Sequence, residues 1–299
     1  MIAIIGLGIM GSRFARRLLD AGHSLRGFDV DAERNAEFEA MGGVATNSPA
    51  DAVQGCEIAV LSLLTSEISR EVCLGSGGII ESAQRPLLVL DATTGRPEDS
   101  VETATGLANV GIEYADMTVS GNAAVAEVGH LVVMLGGSED AYSKARPVME
   151  VIGRSHHHVG PVGAGARTKL IVNHVLAVNR AGLAEGLVAA ELAGLDLARM
   201  LEVLRDGVAY SRAMDLWGDR MVAADHGRPN ARLRQSHKDS RLIVEHAEAV
   251  GAPADHIRLV ESTLDEGETN GLADLDNSSA IEVIRRRAGI GRIPEGDSE

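Results

Sequence analysis

Six residues into the chain, the β-branched run Ile2–Ile5 breaks into Gly6-Leu7-Gly8-Ile9-Met10-Gly11. A G-x-G-x-x-G between a strand and a helix restricts the fold more than any other stretch here. The first glycine permits a tight turn, and the second brings backbone within reach of a pyrophosphate. The third lets helix and strand pack closely, with the helix N-terminus facing the anion. Residues 10–21 carry the helical pattern, with Phe14, Leu18 and Leu19 on one face and Arg13, Arg16 and Arg17 off it. Asp29, at the end of the next strand, follows Gly8 by twenty-one residues. A carboxylate there accepts from a ribose 2′-hydroxyl and repels a 2′-phosphate, so NAD is expected over NADP. Arg26 and Arg34 lie nearby and leave NADP open.

Short apolar runs at 2–5, 24–28, 58–63, 87–90, 112–114 and 131–135 read as strands, with helical or turn segments at 51–55 and 65–72. This alternation predicts an α/β fold built on a Rossmann doubly wound parallel sheet. From Ala166 onward no strand pattern returns. Helical periodicity runs over 167–192, about 39 Å at 1.5 Å per residue. Further helices are expected at 197–206, 211–224, 234–249, 254–265 and 277–288. The expected organisation is a nucleotide-binding domain over 1–162 and an all-helical domain over 163–299 that begins with a long interdomain helix. Pro, Gly and acidic residues at 293–299 predict a frayed tail.

Composition removes several classes. With 28 Lys+Arg against 43 Asp+Glu the net charge is −15, which excludes a nucleic-acid partner that needs clustered cations. Aromatics are only 2%, too few for a single-strand stacking platform. No apolar run approaches the roughly 18 residues of a membrane span, so no membrane partner is expected. Residues 1–10 lack a basic n-region and are interrupted by glycine, so no targeting segment is expected. Cys56 and Cys73 suit a reducing compartment, and the cytoplasm is the expected location.

Other stretches offer chemistry. Asp91-Ala92-Thr93-Thr94 closes the fourth strand, where open α/β sheets hold ligands, and reads equally as a turn or a cofactor contact. Ser120-Gly121-Asn122 offers N–H groups and a hydroxyl suited to a carboxylate. Lys169 and Asn173, four apart, share one face of the long helix. In an apolar stretch the lysine is either a proton carrier in a cleft or a solvated side chain. Lys238-Asp239 reads as a charge pair. His156-His157-His158 cannot converge on one ion from a strand, so no metal is expected.

Together these residues resemble the β-hydroxyacid dehydrogenases, the group that includes 3-hydroxyisobutyrate dehydrogenase and tartronate semialdehyde reductase. The likeness runs from Gly6–Gly11 through Asp116…Val119-Ser120-Gly121 and Gly136-Gly137. It continues through Gly163-Ala164-Gly165…Lys169-Leu170-Ile171-Val172-Asn173 to His237-Lys238-Asp239 and Asp276-Asn277-Ser278. It implies hydride transfer between NAD, or NADP, and a small β-hydroxy acid or semialdehyde, in a homodimer or homotetramer. By position Lys169 resembles the catalytic lysine, and Ser120, Gly121, Asn122 and Asn173 the substrate contacts. Gly6, Leu7, Gly8, Ile9, Met10, Gly11, Asp29, Thr94 and Lys238 resemble the cofactor contacts. Asn122 stands where the family usually has glycine, and Ala231 where it often has phenylalanine. Imine reductases share the architecture but usually carry another residue at the lysine position. A non-catalytic NAD-binding scaffold is a further alternative, as is a 6-phosphogluconate dehydrogenase relative, whose chains are much longer.

Overall fold

The computed structural model describes residues 1–291. Its chain divides into two compact units, Met1–Lys169 and Leu170–Glu299. In the first, strands and helices alternate. They run β1 (Ile2–Ile5), α1 (Ile9–Asp20), β2 (Leu25–Phe28), α2 (Ala32–Ala40), β3 (Val44–Ala45), α3 (Pro49–Ala52), β4 (Ile58–Leu61) and α4 (Ser66–Leu74). The series continues with β5 (Leu88–Asp91), α5 (Pro97–Ala108), β6 (Glu113–Ser120), α6 (Ala123–Glu127), β7 (Leu131–Gly136), α7 (Glu139–Ile152) and β8 (Gly153–Gly160). The strands form one sheet in the order β3-β2-β1-β4-β5-β6-β7-β8.

The expected doubly wound sheet is borne out. Alternation at period two explains its two cores. Ile2 and Ile4 of β1 join Phe14, Leu18, Leu90 and Met117 on one face, while Ala3 and Ile5 join Leu61, Cys73, Val89 and Leu107 on the other. The chain reverses direction of winding between β1 and β4, which opens a crevice at their carboxyl ends. Two strands depart from the all-parallel expectation: β7 runs antiparallel to β6, and β8, parallel to β7, is reversed with it. Only the stretch holding α6 joins β6 to β7, shorter than the dozen or more residues a parallel crossover needs.

The sheet also contains two strands that periodicity missed. β3 has just two residues, and β8 reads GRSHHHVG, with no apolar alternation. On β8, His156 Nδ1 lies 3.1 Å from the Tyr142 hydroxyl, and His158 Nε2 lies 2.8 Å from the Gly137 carbonyl. His157, between them, is exposed. Among the described residues no group of three His, Cys, Asp or Glu side chains could hold a metal.

The long helix α8 spans Ala164–Leu192, slightly more than periodicity predicts. Beyond it come α9 (Leu197–Asp206), α10 (Asp219–Ala223), α11 (Leu233–Ala249), α12 (Asp255–Thr269) and α13 (Ala280–Arg287). Leu170, Leu233, Ile257 and Leu264 make one apolar cluster, and Leu187, Leu201, Trp217 and Ile281 another. The helix expected at 211–224 is split: Met214–Gly218 forms a wide π turn before α10. A Cβ at Gly218 would lie 2.6 Å from the Leu201 side chain, so this wide turn packs directly against α9. Residues 293–299, expected to fray, lie outside the described residues. No described helix is long and apolar enough to cross a membrane.

Candidate active site

Gly6 ends β1 at φ +89°, a conformation only glycine takes without strain. A Cβ at Gly11 would sit 1.9 Å from the Gly6 carbonyl oxygen, so α1 crosses the turn at contact distance. Gly8, the residue before α1, has no side chain to cap the helix. The loop 6–11 therefore presents bare backbone at a helix N-terminus, and substitution at either end would fill the cradle. These residues fit a pyrophosphate.

Asp29, directly after β2, bonds to the same loop. Its Oδ2 accepts from the Leu7 N–H at 2.7 Å and its Oδ1 from the Asp31 N–H at 3.0 Å. Asn35, which sequence reasoning missed, braces Asp29 from both sides. It accepts from the Asp29 N–H at 2.9 Å and donates to the Asp29 carbonyl at 2.7 Å. The two nearby arginines separate. Arg26 turns to Asp51, at 3.0 Å from the carbonyl and 3.2 Å from the carboxylate. Arg34 pairs with Asp31 at 3.3 Å, and its Nη1 would lie 2.8 Å from a Cβ on Gly8. Only Arg34 therefore borders the loop.

After β5, Thr93 organises the turn. Its hydroxyl accepts from the Leu63 N–H at 3.1 Å and from Ser69 Oγ at 3.0 Å, and its N–H donates to Asp91 at 2.9 Å. Burial raises the Asp91 carboxyl, while donors on Thr93, Ser69 and Tyr114 pull it back. Thr94 itself is half-buried.

β6 ends in the second predicted loop. Ser120 is half-buried, Gly121 has φ +138°, and a Cβ there would meet Leu131 at 2.6 Å. Asn122 spends its side-chain oxygen on capping α6, accepting from the Val125 N–H at 3.1 Å. Earlier on the same strand Asp116 accepts from the N–H groups of Gly163 at 2.8 Å and Ala166 at 2.7 Å. Thr118 adds a bond from its hydroxyl to the Gly165 carbonyl at 2.9 Å. A single strand thus carries the Ser120 loop and clamps the first turn of α8, and half-buried Lys169 stands one turn beyond the clamp. Burial pushes the Asp116 carboxyl up to about 6, against those two N–H groups.

Farther along the chain, Asn173 donates to Asp239 Oδ2 at 3.1 Å, and Lys238 Nζ lies 3.2 Å from Asp239 Oδ1. Asp239 thereby links two predicted site residues, a role its adjacent charge pair alone does not reveal. Arg180, also missed, sits on α8 with its guanidinium over the Trp217 ring, 5.1 Å from the centroid.

Residues 1–160 match the family model described as the NAD binding domain of 6-phosphogluconate dehydrogenase. Residues 163–284 match one described as NAD-binding of NADP-dependent 3-hydroxyisobutyrate dehydrogenase. The chain belongs to the β-hydroxyacid dehydrogenase family. It is 30% identical over 289 residues to 2-(hydroxymethyl)glutarate dehydrogenase of Eubacterium barkeri, covering 97% of this chain and 96% of that one. It is 31% identical over 257 residues to 3-hydroxyisobutyrate dehydrogenase of Pseudomonas aeruginosa, covering 84% and 86% respectively. The crystal structure of 3-hydroxyisobutyrate dehydrogenase from Salmonella typhimurium superposes with a TM-score of 0.86 at 26% identity, covering 94% of this chain and 99% of that one. As a β-hydroxyacid dehydrogenase the protein is an NAD(P)-dependent oxidoreductase acting on CH–OH groups. Its glycine loop, with no Cβ at the three positions where one would collide, has the shape this chemistry requires.

Proposed function

We propose that this member of the family prefers NAD and interconverts a small β-hydroxy acid with its semialdehyde. Candidate substrates are 3-hydroxyisobutyrate, tartronate semialdehyde or a close relative. The observation that supports this best is the seating of Lys169. It lies one turn past the N–H groups held by Asp116 and one turn before Asn173. A pinned helix start limits the freedom of the ammonium it carries, which is what positioned proton transfer needs.

The bound dinucleotide supplies the hydride acceptor, and the remaining work falls to the protein. Gly6, Leu7, Gly8, Ile9, Met10 and Gly11 receive the pyrophosphate, and Asp29 the ribose hydroxyls, with Thr94 and Lys238 as further contacts. The Ser120 hydroxyl and the N–H groups of Gly121 and Asn122 hold the substrate carboxylate. Lys169 takes the hydroxyl proton during oxidation. In reduction its ammonium polarises the carbonyl oxygen and returns the proton, with Asn173 orienting the same oxygen.

In this reading residues 1–162 serve the cofactor and 163–299 serve substrate and assembly. Ile171 and Val175, on neighbouring turns of α8, are 60% and 58% exposed. We assign that apolar strip to a second copy of the chain, in a homodimer or homotetramer. Free, buried Cys56 and Cys73 fit the reducing cytoplasm. An absorbance assay of NAD reduction across a panel of β-hydroxy acids tests the reading. Turnover with at least one of them is the expected outcome, and NAD binding without turnover of any would refute it.

A further inference from the structure

Arg180 lies eleven residues beyond Lys169 and seven beyond Asn173. At 100° per residue those spacings return to within about 20° of the same helix face. Side chains on a helix lean toward its N-terminus, so the Arg180 guanidinium is carried back along α8 toward Asn173. It is only 5% exposed and stays charged at neutral pH. Burial lowers its pKa to about 10, and Asp276 and Asp239 hold it up against that burial.

A buried guanidinium offers five N–H donors. Among the described residues its hydrogen bond goes to Ser236 Oγ, at a marginal 3.5 Å. The two carboxylates that face it have closer partners of their own. Asp239 is matched by Asn173 at 3.1 Å and by Lys238 at 3.2 Å. Asp276 takes the Asn230 N–H at 2.9 Å and the Ser278 N–H at 3.0 Å, with Arg220 at 3.9 Å. The guanidinium carbon lies over the Trp217 ring, a cation–π contact that holds the group without using its N–H donors as hydrogen bonds. A planar fork immobilised in this way matches a carboxylate, which it can engage through two parallel bonds.

We propose that Arg180 binds a second carboxylate, at the end of the substrate remote from the reacting hydroxyl, so that the enzyme selects dicarboxylic β-hydroxy acids. This rests on the dehydrogenase reading above and narrows its substrate class. Ser236, which Asn277 Nδ2 contacts at 3.0 Å, steadies the guanidinium from the α11 side.

The test compares kcat/KM for 3-hydroxyisobutyrate with that for 2-(hydroxymethyl)succinate and 2-(hydroxymethyl)glutarate, which add a terminal carboxylate at two spacings. The wild type is expected to favour one of the diacids by about 10²-fold, chiefly through KM. Arg180→Gln should lower that ratio to within a few-fold of unity, and Arg180→Lys should retain an intermediate preference. Thermal melts by circular dichroism establish that each variant is folded. A monoacid preference in the wild type, or an unchanged ratio in Arg180→Gln, would overturn the proposal.

A second readout does not depend on turnover. Trp217 is the single tryptophan of the chain, so its fluorescence reports on the guanidinium held over its ring. Glutarate should produce a saturable change that butyrate does not, and Arg180→Gln should abolish it. Equal responses to glutarate and butyrate would overturn the assignment. If no hydroxy acid is oxidised, the dehydrogenase reading fails while this titration still decides the role of Arg180.

Discussion

Asp116 takes the Ala166 backbone N–H at 2.7 Å, and this bond ties the middle of β6 to the first turn of the helix that bears Lys169. Its other oxygen takes the Gly163 N–H at 2.8 Å. The two donors are thus met by the two separate oxygens of one carboxylate.

The Asp116 clamp gives stability a particular pH dependence. Burial raises its carboxyl from 3.8 to about 6, so the folded protein binds this proton more tightly than the unfolded chain. Its contribution is therefore complete below about pH 4 and shrinks as pH climbs through 6, by up to about 3 kcal/mol. Asp116→Asn has no such proton. Urea melts should show the stability difference, wild type minus variant, falling between pH 4 and pH 7. A difference that stays flat over that range would contradict the raised value.

Gly11→Ala attacks the glycine loop by packing alone. Its Cβ would meet the Gly6 carbonyl at 1.9 Å, a backbone atom that cannot move without shifting β1. Overpacking of this kind costs about 1–3 kcal/mol. Calorimetry should register a lower Tm and titration a weaker NAD affinity. Retention of both would mean that α1 can back away from the turn.

Cofactor preference turns on Asp29 and Arg34. Removing the carboxylate in Asp29→Ser takes away the charge that opposes a 2′-phosphate, and leaves Arg34 bordering Gly8. The kcat/KM ratio of NADP to NAD should rise by about 10²-fold. Adding Arg34→Ala should reverse most of that gain. If the double variant keeps the NADP preference, another cation is responsible.

Lys169→Ala separates proton transfer from binding. Loss of a positioned acid–base group typically lowers kcat by about 10²–10⁴-fold. NAD affinity measured by titration should stay close to wild type. Near-normal turnover would remove Lys169 from the reaction.

Much of this was legible in the sequence because it depends on local geometry. The glycine loop, the strands β1 and β7 and the helix α9 follow from backbone conformation and from periods of two or 3.6 residues, which act over a few positions at a time. The family likeness rests on the order of such motifs along the chain. Periodicity could not find β8, whose polar HHH run holds its place through pairing with β7. Nor could it separate Arg26, which reaches Asp51, from Arg34, which pairs with Asp31, since residues close in sequence diverge by which partner each one meets. Tertiary structure alone decided those partnerships. Asp116 meets Gly163 and Ala166 forty-seven and fifty residues on, Asn173 meets Asp239 across sixty-six, and Arg180 settles on Trp217. Such contacts form only when the packing of sheet and helices brings remote segments together, which no local pattern encodes.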